Sequence, residues 1–476
     1  MHSDYDAIVV GSGPNGLAAA ITLKKAGLSV LLIEGKDEVG GGMRTKPLTL
    51  PGFLHDVCSA VHPMAAISPF LQSLRLEDYG LHYVYPQVAA AHPFTDGTAA
   101  VLTHSLSETA EGLGSDKANY LKWMTPIVDD LPDLIPDLLS PFPRLKKLPK
   151  LAGFGLKALK PATYTQKLFN TKEAKGLWAG MAAHAIQPLD NLMTSAIGIM
   201  LMASAHLAGW PIPKGGSISI AKAMLSLFQA LGGEFVPNFM VSSLDQLPTA
   251  KAVLYDVTPK QLLAIMGDQL STSYRYRLKQ YRYGMGVFKI DWALSEPVPF
   301  TAPICRKAGT IHIGNTFANI AASEKSTAQG HYPDTPFVLF AQPSIFDPSR
   351  APEGKHTAWA YCHVSNGSSQ DLTDTIEKQV ERFAPGFKEV ILARHTLNAQ
   401  EMESYNPNYV GGDINGGVQD IFQHFSRPVL RVSPYRTSLR GHYLCSSSTP
   451  PGGGVHGMCG YHAAKRALAD IFDIRF

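Results

Sequence analysis

A glycine motif set between two strand-like segments constrains this chain more than any other feature. Residues 6–11 (DAIVVG) form an apolar run that predicts a buried parallel strand, and the alanine-rich stretch 16–26 predicts a helix. Residues 29–34 (SVLLIE) predict a second strand, which completes a βαβ unit. The turn between the first strand and the helix reads Gly11-Ser12-Gly13-Pro14-Asn15-Gly16. This order of elements is typical of the mononucleotide-binding half of a Rossmann fold.

Each glycine of this turn has its own physical role. Gly11 permits the tight turn, Gly13 lets the backbone approach a pyrophosphate, and Gly16 lets the helix pack closely on the strand. The N-terminus of the helix adds N–H groups and a partial positive charge, which favour phosphate. Glu34 ends the second strand, where a carboxylate accepts hydrogen bonds from a ribose diol. The motif therefore predicts a bound dinucleotide, without distinguishing FAD from NAD.

A second glycine cluster makes that distinction. The segment after Glu34 reads Val39-Gly40-Gly41-Gly42-Met43-Arg44-Thr45. In flavoproteins, a Gly-Gly pair followed by an arginine lies along the flavin nucleotide's pyrophosphate, and nicotinamide enzymes have no reason to place one there. A second dinucleotide fingerprint is missing, because Gly284-Met285-Gly286 lacks a third glycine. The sequence therefore predicts FAD that is not reduced by NAD(P)H bound in a Rossmann domain of its own.

Composition and charge exclude several other classes. A length of 476 residues predicts two or three domains, and the low charged fraction of 17% leaves apolar surface for a ligand or partner. A net charge of +3, mixed in sign along the chain, argues against nucleic acid as a partner. The five cysteines have no CxxC spacing, which argues against a redox disulfide and a zinc site. With no signal-peptide pattern, they favour a cytoplasmic location.

The remaining chain predicts a second domain inserted into the first. The FAD-binding domain is predicted to consist of residues 1–64, 211–265 and 430–476. The substrate-binding domain is predicted from residues 65–210 and 266–429, with a helical cap over about 110–210. Together they make an α/β fold, in which a Rossmann-type FAD-binding domain carries an inserted α+β substrate domain of a mixed sheet and a helical cap.

Two patterns define the substrate domain. Helical stretches dominate from about residue 65 to 210, and prolines at 126, 132, 136, 141, 143, 149 and 161 are predicted to break them. Residues 196–210 are too short for a membrane span and predict a buried core helix. Residues 284–400 alternate strand-like segments with one helix over 373–384 (TDTIEKQVERFA), which predicts a mostly antiparallel sheet.

Residues 140–160 support two interpretations. Basic residues alternate there with Leu, Phe and Pro, at Arg144, Lys146, Lys147, Lys150, Lys157 and Lys160. One interpretation is the solvated face of a helical cap, and the other is a patch that contacts a membrane surface or admits a lipid. The sequence leaves both open, and it leaves the oligomeric state undetermined.

Several motifs resemble the phytoene desaturase (carotenoid desaturase-like) branch of the amine oxidase superfamily. They are the 11–16 turn with Glu34 and the cluster through Arg44, the segments 51–56 (PGFLHD) and 210–216 (WPIPKGG), and 449–457 (TPPGGGVHG). Within that branch, residues 256–263, 288–294, 355–364 and 405–414 are similar to the pyridine nucleotide-disulfide oxidoreductase domain-containing protein 2 group. The resemblance extends over nearly the whole chain.

The resemblance implies a set of FAD-binding residues: Gly11, Gly13, Pro14, Asn15, Gly16, Glu34, Gly41, Gly42, Met43, Arg44, Val241, Gly453, Gly454 and Val455. It implies that the backbone of Val241 meets the adenine. It also implies that Gly453, Gly454 and Val455 lie against the isoalloxazine at a helix N-terminus, where the dipole favours negative charge on reduced flavin. Many relatives have a Gly-Asp pair that holds a ribityl hydroxyl, whereas this chain reads Ser446-Ser447-Ser448.

Catalytic side chains are harder to identify. His184 and His456 are the candidates for a base or polar guide, ahead of His55 and His62, although each histidine is more often structural. Cys445 or Cys459 could carry covalent flavin, but buried free cysteines are the favoured interpretation. The spacing of potential ligands predicts no metal site.

The predicted activity is FAD-dependent oxidation of a hydrophobic, isoprenoid- or lipid-like molecule by hydride transfer to the flavin. Loss of a neighbouring proton would give a C=C bond, a step that needs no strong acid–base pair. Three alternatives stay open: an amine oxidase with an aromatic cage, a reduced-flavin isomerase or saturase, and a flavin-binding scaffold without turnover.

Overall fold

The computed structural model describes residues 3–141 and 147–475. The strands are β1 (Tyr5–Val10), β2 (Val30–Ile33), β3 (Thr45–Lys46), β4 (His55–Asp56), β5 (Tyr83–Val84), β6 (Val88–Pro93), β7 (Ala99–Thr103), β8 (Ile212–Pro213), β9 (Glu234–Val236), β10 (Ala250–Tyr255), β11 (Gly286–Leu294), β12 (Ala308–Ile313), β13 (Val338–Ala341), β14 (His356–Val364), β15 (Ile391–Leu397) and β16 (His442–Leu444).

The helices are numbered separately in chain order. They are α1 (Pro14–Lys25), α2 (Pro63–Ile67), α3 (Pro69–Gln72), α4 (Leu106–Glu111), α5 (Lys117–Leu138), α6 (Leu148–Ala158), α7 (Ala162–Thr165), α8 (Lys172–Ala183), α9 (Thr194–Ala208), α10 (Ile218–Ala230), α11 (Pro259–Met266), α12 (Thr272–Lys279), α13 (Phe317–Ala328), α14 (Thr373–Glu381), α15 (Ala399–Tyr405), α16 (Ile421–Ser426) and α17 (Met458–Ile471).

A five-stranded parallel sheet holds the N-terminal motif. Its order is β16-β10-β1-β2-β9, so three distant parts of the chain supply neighbouring strands. β1 and β2 are apolar and buried over most of their length because helices cover both faces of such a sheet. α1 packs against α17 so closely that a Cβ on Gly460 would lie 1.8 Å from the carbonyl oxygen of Asn15. The predicted α/β fold is confirmed, and the predicted domain boundaries stay predictions.

A second, seven-stranded sheet stands apart from the first. Its order is β15-β11-β14-β13-β12-β6-β7, and every neighbouring pair is antiparallel except β12 with β6. The predicted mixed, mostly antiparallel sheet is therefore confirmed. The prediction of a single helix within 284–400 is wrong, because α13 follows β12. Its N-terminus carries a capping box, in which the Thr316 hydroxyl accepts from the Asn319 N–H.

The helical layer departs from the sequence prediction at three prolines. Pro126, Pro132 and Pro136 were predicted to break helices, yet all three lie inside the 22-residue α5. Each proline removes one hydrogen bond, but the buried face of α5 packs against α4 and α9, and this packing stabilises the helix. α9 confirms the predicted core helix over 196–210, and within the described residues no helix is long and apolar enough to span a bilayer.

Candidate functional site

Two cavities meet at the glycine motif. The strand-end cavity lies at the carboxyl ends of β1, β2 and β10, where ligands bind in open α/β sheets, and includes Gly11, Glu34 and Val241 in its wall. The central cavity, about 310 Å³ in volume, extends from Gly13 toward the seven-stranded sheet. Five residues line both cavities: Gly13, Gly41, Asp256, Asn406 and Asn408. An elongated dinucleotide could therefore lie across both, with its centre at these shared residues.

The three glycines of the motif are sterically required. Gly11 has a φ of +96°, which side chains rarely adopt. A Cβ on Gly13 would lie 2.6 Å from Asp256 Oδ2, on the side of the cleft. A Cβ on Gly16 would lie 1.9 Å from the carbonyl oxygen of Gly11. The backbone is thus brought against the cleft as a pyrophosphate requires, and the chain fits a dinucleotide here.

Glu34 is held at the rim of the strand-end cavity. Its Oε2 accepts hydrogen bonds from the Ser12 N–H and hydroxyl, and its Oε1 accepts from the Lys36 N–H at 3.0 Å. The same Oε1 forms a buried ion pair with Arg44 Nη2 at 3.0 Å. Arg44 also donates to the Glu38 carbonyl. In this structure Arg44 therefore positions the Glu34 carboxylate, and both the ribose contact of Glu34 and the phosphate contact of Arg44 stay predictions.

The other predicted FAD-binding residues lie at the central cavity or outside both cavities. Pro14, Asn15, Gly42, Gly454 and Val455 line the central cavity. Gly16, Met43 and Gly453 line neither cavity. A Cβ on Gly453 would lie 3.0 Å from the carbonyl oxygen of Asn415.

Asp256, which follows β10, belongs to the site although no sequence motif singled it out. Its carboxylate is buried, and Oδ2 accepts the Gly16 N–H at 2.8 Å, at the N-terminus of α1. Burial, together with the nearby charge of Glu34, raises the pKa of Asp256 to about 7. The signal for it was present in the sequence: like Glu34, Asp256 is an acid directly after an apolar strand.

Aromatic and aliphatic side chains form the far wall of the central cavity. Trp359 and Tyr361 on β14 stack with ring centroids 5.7 Å apart, and Leu339 on the neighbouring β13 pairs with Tyr361. Trp210 and Tyr409 complete this aromatic wall. Such a wall is typical of a site for an apolar or cationic small molecule.

The structure separates the two histidine candidates. His184 lines the central cavity, and its Nε2 lies 2.9 Å from Nε2 of His312. Burial lowers the pKa of His184 to about 3, so the ring is neutral at ordinary pH. His456 is buried outside the cavity wall, and its Nδ1 accepts the N–H of Met458 at the start of α17. His456 therefore has a capping contact and His184 has access to a ligand.

The remaining candidate residues lie partly in the central cavity and partly in the core. Among the rest, His62 lines the cavity and bonds to the Ser217 hydroxyl through Nε2. Cys445 and Cys459 are free and buried, and burial raises the pKa of both thiols. Ser447 reaches the central cavity, whereas Ser448 donates to the Gly416 carbonyl. Across residues 3–141 and 147–475, no cluster of metal-binding side chains is present.

The chain is similar to several known proteins. A family model for an NAD(P)-binding Rossmann-like domain matches residues 9–74. Pyridine nucleotide-disulfide oxidoreductase domain-containing protein 2 of Rattus norvegicus is 26% identical, over 98% of this chain and 94% of that protein. A limonene dehydrogenase polypeptide of Castellaniella defragrans is 22% identical (98% and 95% covered), and a lycopene-forming phytoene desaturase of Paracoccus sp. is 23% identical (98% and 96% covered).

Solved structures share the fold. An oxidoreductase from Methanosarcina mazei superposes with a TM-score of 0.66 at 15% identity, over 97% of this chain and 99% of that one. Putrescine oxidase bound to putrescine gives 0.61 at 18% identity, over 99% of both chains. These structures confirm the predicted fold, and the relatives named above agree with the resemblance seen in the motifs.

Proposed function

We propose that the chain is an oxidoreductase of the FAD-dependent amine oxidase and desaturase superfamily, which binds FAD across the two cavities and oxidises a hydrophobic molecule. The adenosine half would lie in the strand-end cavity, against Glu34 and Val241. The pyrophosphate would lie at Gly13 and Gly41, which line both cavities. The flavin half would lie in the central cavity beside Gly454 and Val455.

One observation carries this proposal: the glycine-lined cleft continues into a cavity with an apolar and aromatic wall. FAD supplies the hydride acceptor when it is bound. The chain would position the substrate and exclude water from the reacting carbon, because the apolar side chains of Trp210, Leu339 and Trp359 line the cavity. His184, neutral and open to the cavity, would take up the proton lost from the neighbouring carbon, with His312 positioning its ring.

The test is to purify the protein and extract its ligands. We expect a yellow protein that releases FAD, together with an apolar molecule identified by mass spectrometry. Under anaerobic conditions, that molecule should bleach the oxidised flavin band in a single turnover. A colourless protein that takes up no FAD would overturn the proposal, and a polar amine in the extract would overturn the hydrophobic substrate.

The aromatic wall favours a second candidate, oxidation of an amine to an imine with formation of hydrogen peroxide. Trp359, Tyr361, Trp210 and Tyr409 give the cavity the ring faces that attract a cation. Asp256 is the one carboxylate among the described residues lining the central cavity, so little else there pairs with an ammonium group. A panel of amines assayed for peroxide in air separates this candidate from the first.

We expect His184→Phe to slow flavin reduction by roughly tenfold, less than the usual loss for a general base, because a pKa of about 3 makes His184 a weak base. The phenyl ring keeps the apolar volume but removes the nitrogen that takes the proton. Because burial lowers the pKa of His184 to about 3, the ring does not change its charge between pH 5 and 9. Ionisation of His184 should therefore cause no rise or fall in the wild-type rate of flavin reduction over this range. Stopped-flow flavin reduction measures both effects.

His456→Phe is the comparison variant, because His456 lies outside the cavity wall. We expect it to lower stability through the lost cap on α17 and to leave the rate constant for flavin reduction within a few-fold of wild type. Equal losses of rate in both variants would contradict a catalytic role for His184.

We also propose that α6 contacts a membrane surface. Leu148 and Leu156 are 47% and 71% exposed on this helix, beside Lys157. Lys147 and Lys150 pair with acids of α5, which leaves fewer free charges than the sequence suggested. Arg144 and Lys146, part of the same predicted patch, lie outside the described residues.

We expect Leu148→Ser/Leu156→Ser to lower binding to vesicles that contain anionic lipid by at least about tenfold, since burying each leucine contributes about 1.5–3 kcal/mol. Phe422→Ser/Phe425→Ser, which changes the exposed face of α16, is the matched control. Co-sedimentation measures the partition coefficient. Wild-type protein that does not sediment with vesicles would support the solvated-face interpretation instead.

A further inference from the structure

The N-terminus of α1, where the proposed pyrophosphate would lie, already binds the carboxylate of Asp256, which directly follows β10. Asp256 Oδ2 accepts the Gly16 N–H at 2.8 Å and lies where a Cβ on Gly13 would come within 2.6 Å. Asp256 also lines both cavities. A carboxylate and a pyrophosphate would therefore compete for the same positive end of the helix.

We propose that Asp256 binds the dinucleotide as a neutral carboxylic acid, keeping the Gly16 N–H on one oxygen and donating a hydrogen bond from the other to the pyrophosphate. The inference rests on the proposed binding of FAD. Binding then takes up one proton from solvent, and Asp256 becomes a pH-sensitive residue for cofactor loading. A charged Asp256 would repel the phosphates, whereas the acid supplies a donor to them.

The surroundings of Asp256 favour the neutral form. Burial and Glu34 raise the pKa of its carboxyl to about 7, against the opposing hydrogen bonds from the α1 amides. The ionisable groups that face it from other elements are the Cys445 thiol after β16 and the Cys459 thiol on α17, and both are neutral because burial raises their pKa values. Arg44 is engaged by Glu34. None of these groups places a free positive charge beside Asp256 that would stabilise its charged form.

The direction of the pH effect follows from this. Below about pH 7, apoprotein already carries the proton and binds FAD at full affinity. Above pH 7, binding must include protonation of Asp256, so affinity falls by up to tenfold for each further pH unit. The pyrophosphate of FAD does not titrate in this range, so the change of FAD affinity with pH reflects ionisation of the protein.

The experiment is titration of apoprotein with FAD, followed by flavin fluorescence, from pH 6 to 9. We expect the Kd of wild type to rise about tenfold per unit above pH 7, and that of Asp256→Asn to be nearly constant, because the amide keeps a donor without the charge. Glu34→Gln is the comparison variant: it should weaken binding at every pH and retain the slope, but the slope should begin at a lower pH because the charge that helps to raise the pKa of Asp256 is removed. Equal slopes in wild type and Asp256→Asn would overturn the inference.

A second measurement does not depend on the variant folding. Wild-type apoprotein mixed with FAD at pH 8 in a weakly buffered solution should take up about one proton per FAD bound, measured with an indicator dye. Binding with no proton uptake would overturn the role of Asp256 alone. Failure to bind FAD at any pH would overturn the proposed function instead.

Discussion

We expect Gly16→Ala to lower the affinity for FAD by roughly a hundredfold or more and the free energy of unfolding by about 2–3 kcal/mol. The new methyl group would lie 1.9 Å from the carbonyl oxygen of Gly11, so α1 must move away from β1. That movement carries the α1 N–H groups away from the proposed pyrophosphate position. FAD titration of the apoprotein and urea unfolding measure the two losses separately.

The chain offers a matched substitution. Gly155 lies inside α6, where an added Cβ meets nothing within 4 Å, so Gly155→Ala should leave FAD affinity unchanged and stabilise the helix by up to about 1 kcal/mol. If Gly16→Ala bound FAD as tightly as Gly155→Ala does, the close approach of α1 to β1 would not support the cofactor site.

The dinucleotide cradle could be predicted because its signals are local. Gly11, Gly13 and Gly16 occupy one turn, and Glu34 follows the next strand, so spacing alone fixes their relation to the strand ends. Asp256 is different, because 240 residues separate it from Gly16. Its place in the cradle follows from β10 lying beside β1, which a strand-like run by itself does not reveal.

The residues that form the wall of the central cavity could not be predicted from the sequence either. β14 is buried along nearly all of its length, so the boundary between core and solvent does not indicate which of its side chains meet a ligand. Trp359 and Tyr361 form a cavity wall together with Leu339 on β13 and Thr310 on β12. This wall depends on the pairing of the three strands, which the sequence of β14 alone does not show. Pro126 and Pro132 in α5 show the same effect, since tertiary packing overrides a local helix-breaking signal.

A buried ion pair joins the two parts of the fold, and breaking it should have the largest effect on stability. Asp56 on β4 pairs with Arg350 at 2.8 Å, and both side chains are fully buried. The other carboxylate oxygen of Asp56 accepts from the Thr45 hydroxyl and from the Ser217 N–H before α10. One carboxylate thus ties the strand after the glycine cluster to α10 and to the segment before β14.

We expect Asp56→Ala to lower the free energy of unfolding by about 3–5 kcal/mol, because it leaves the Arg350 guanidinium buried without its counter-ion. Replacing both charges, in Asp56→Leu/Arg350→Met, should recover much of that loss, since well-packed apolar residues avoid the cost of burying the charges. Urea unfolding of Asp56→Leu, Arg350→Met and the double variant gives the coupling energy. Additive losses would show that the Ser217 and Thr45 hydrogen bonds, and not the ion pair, hold this junction together.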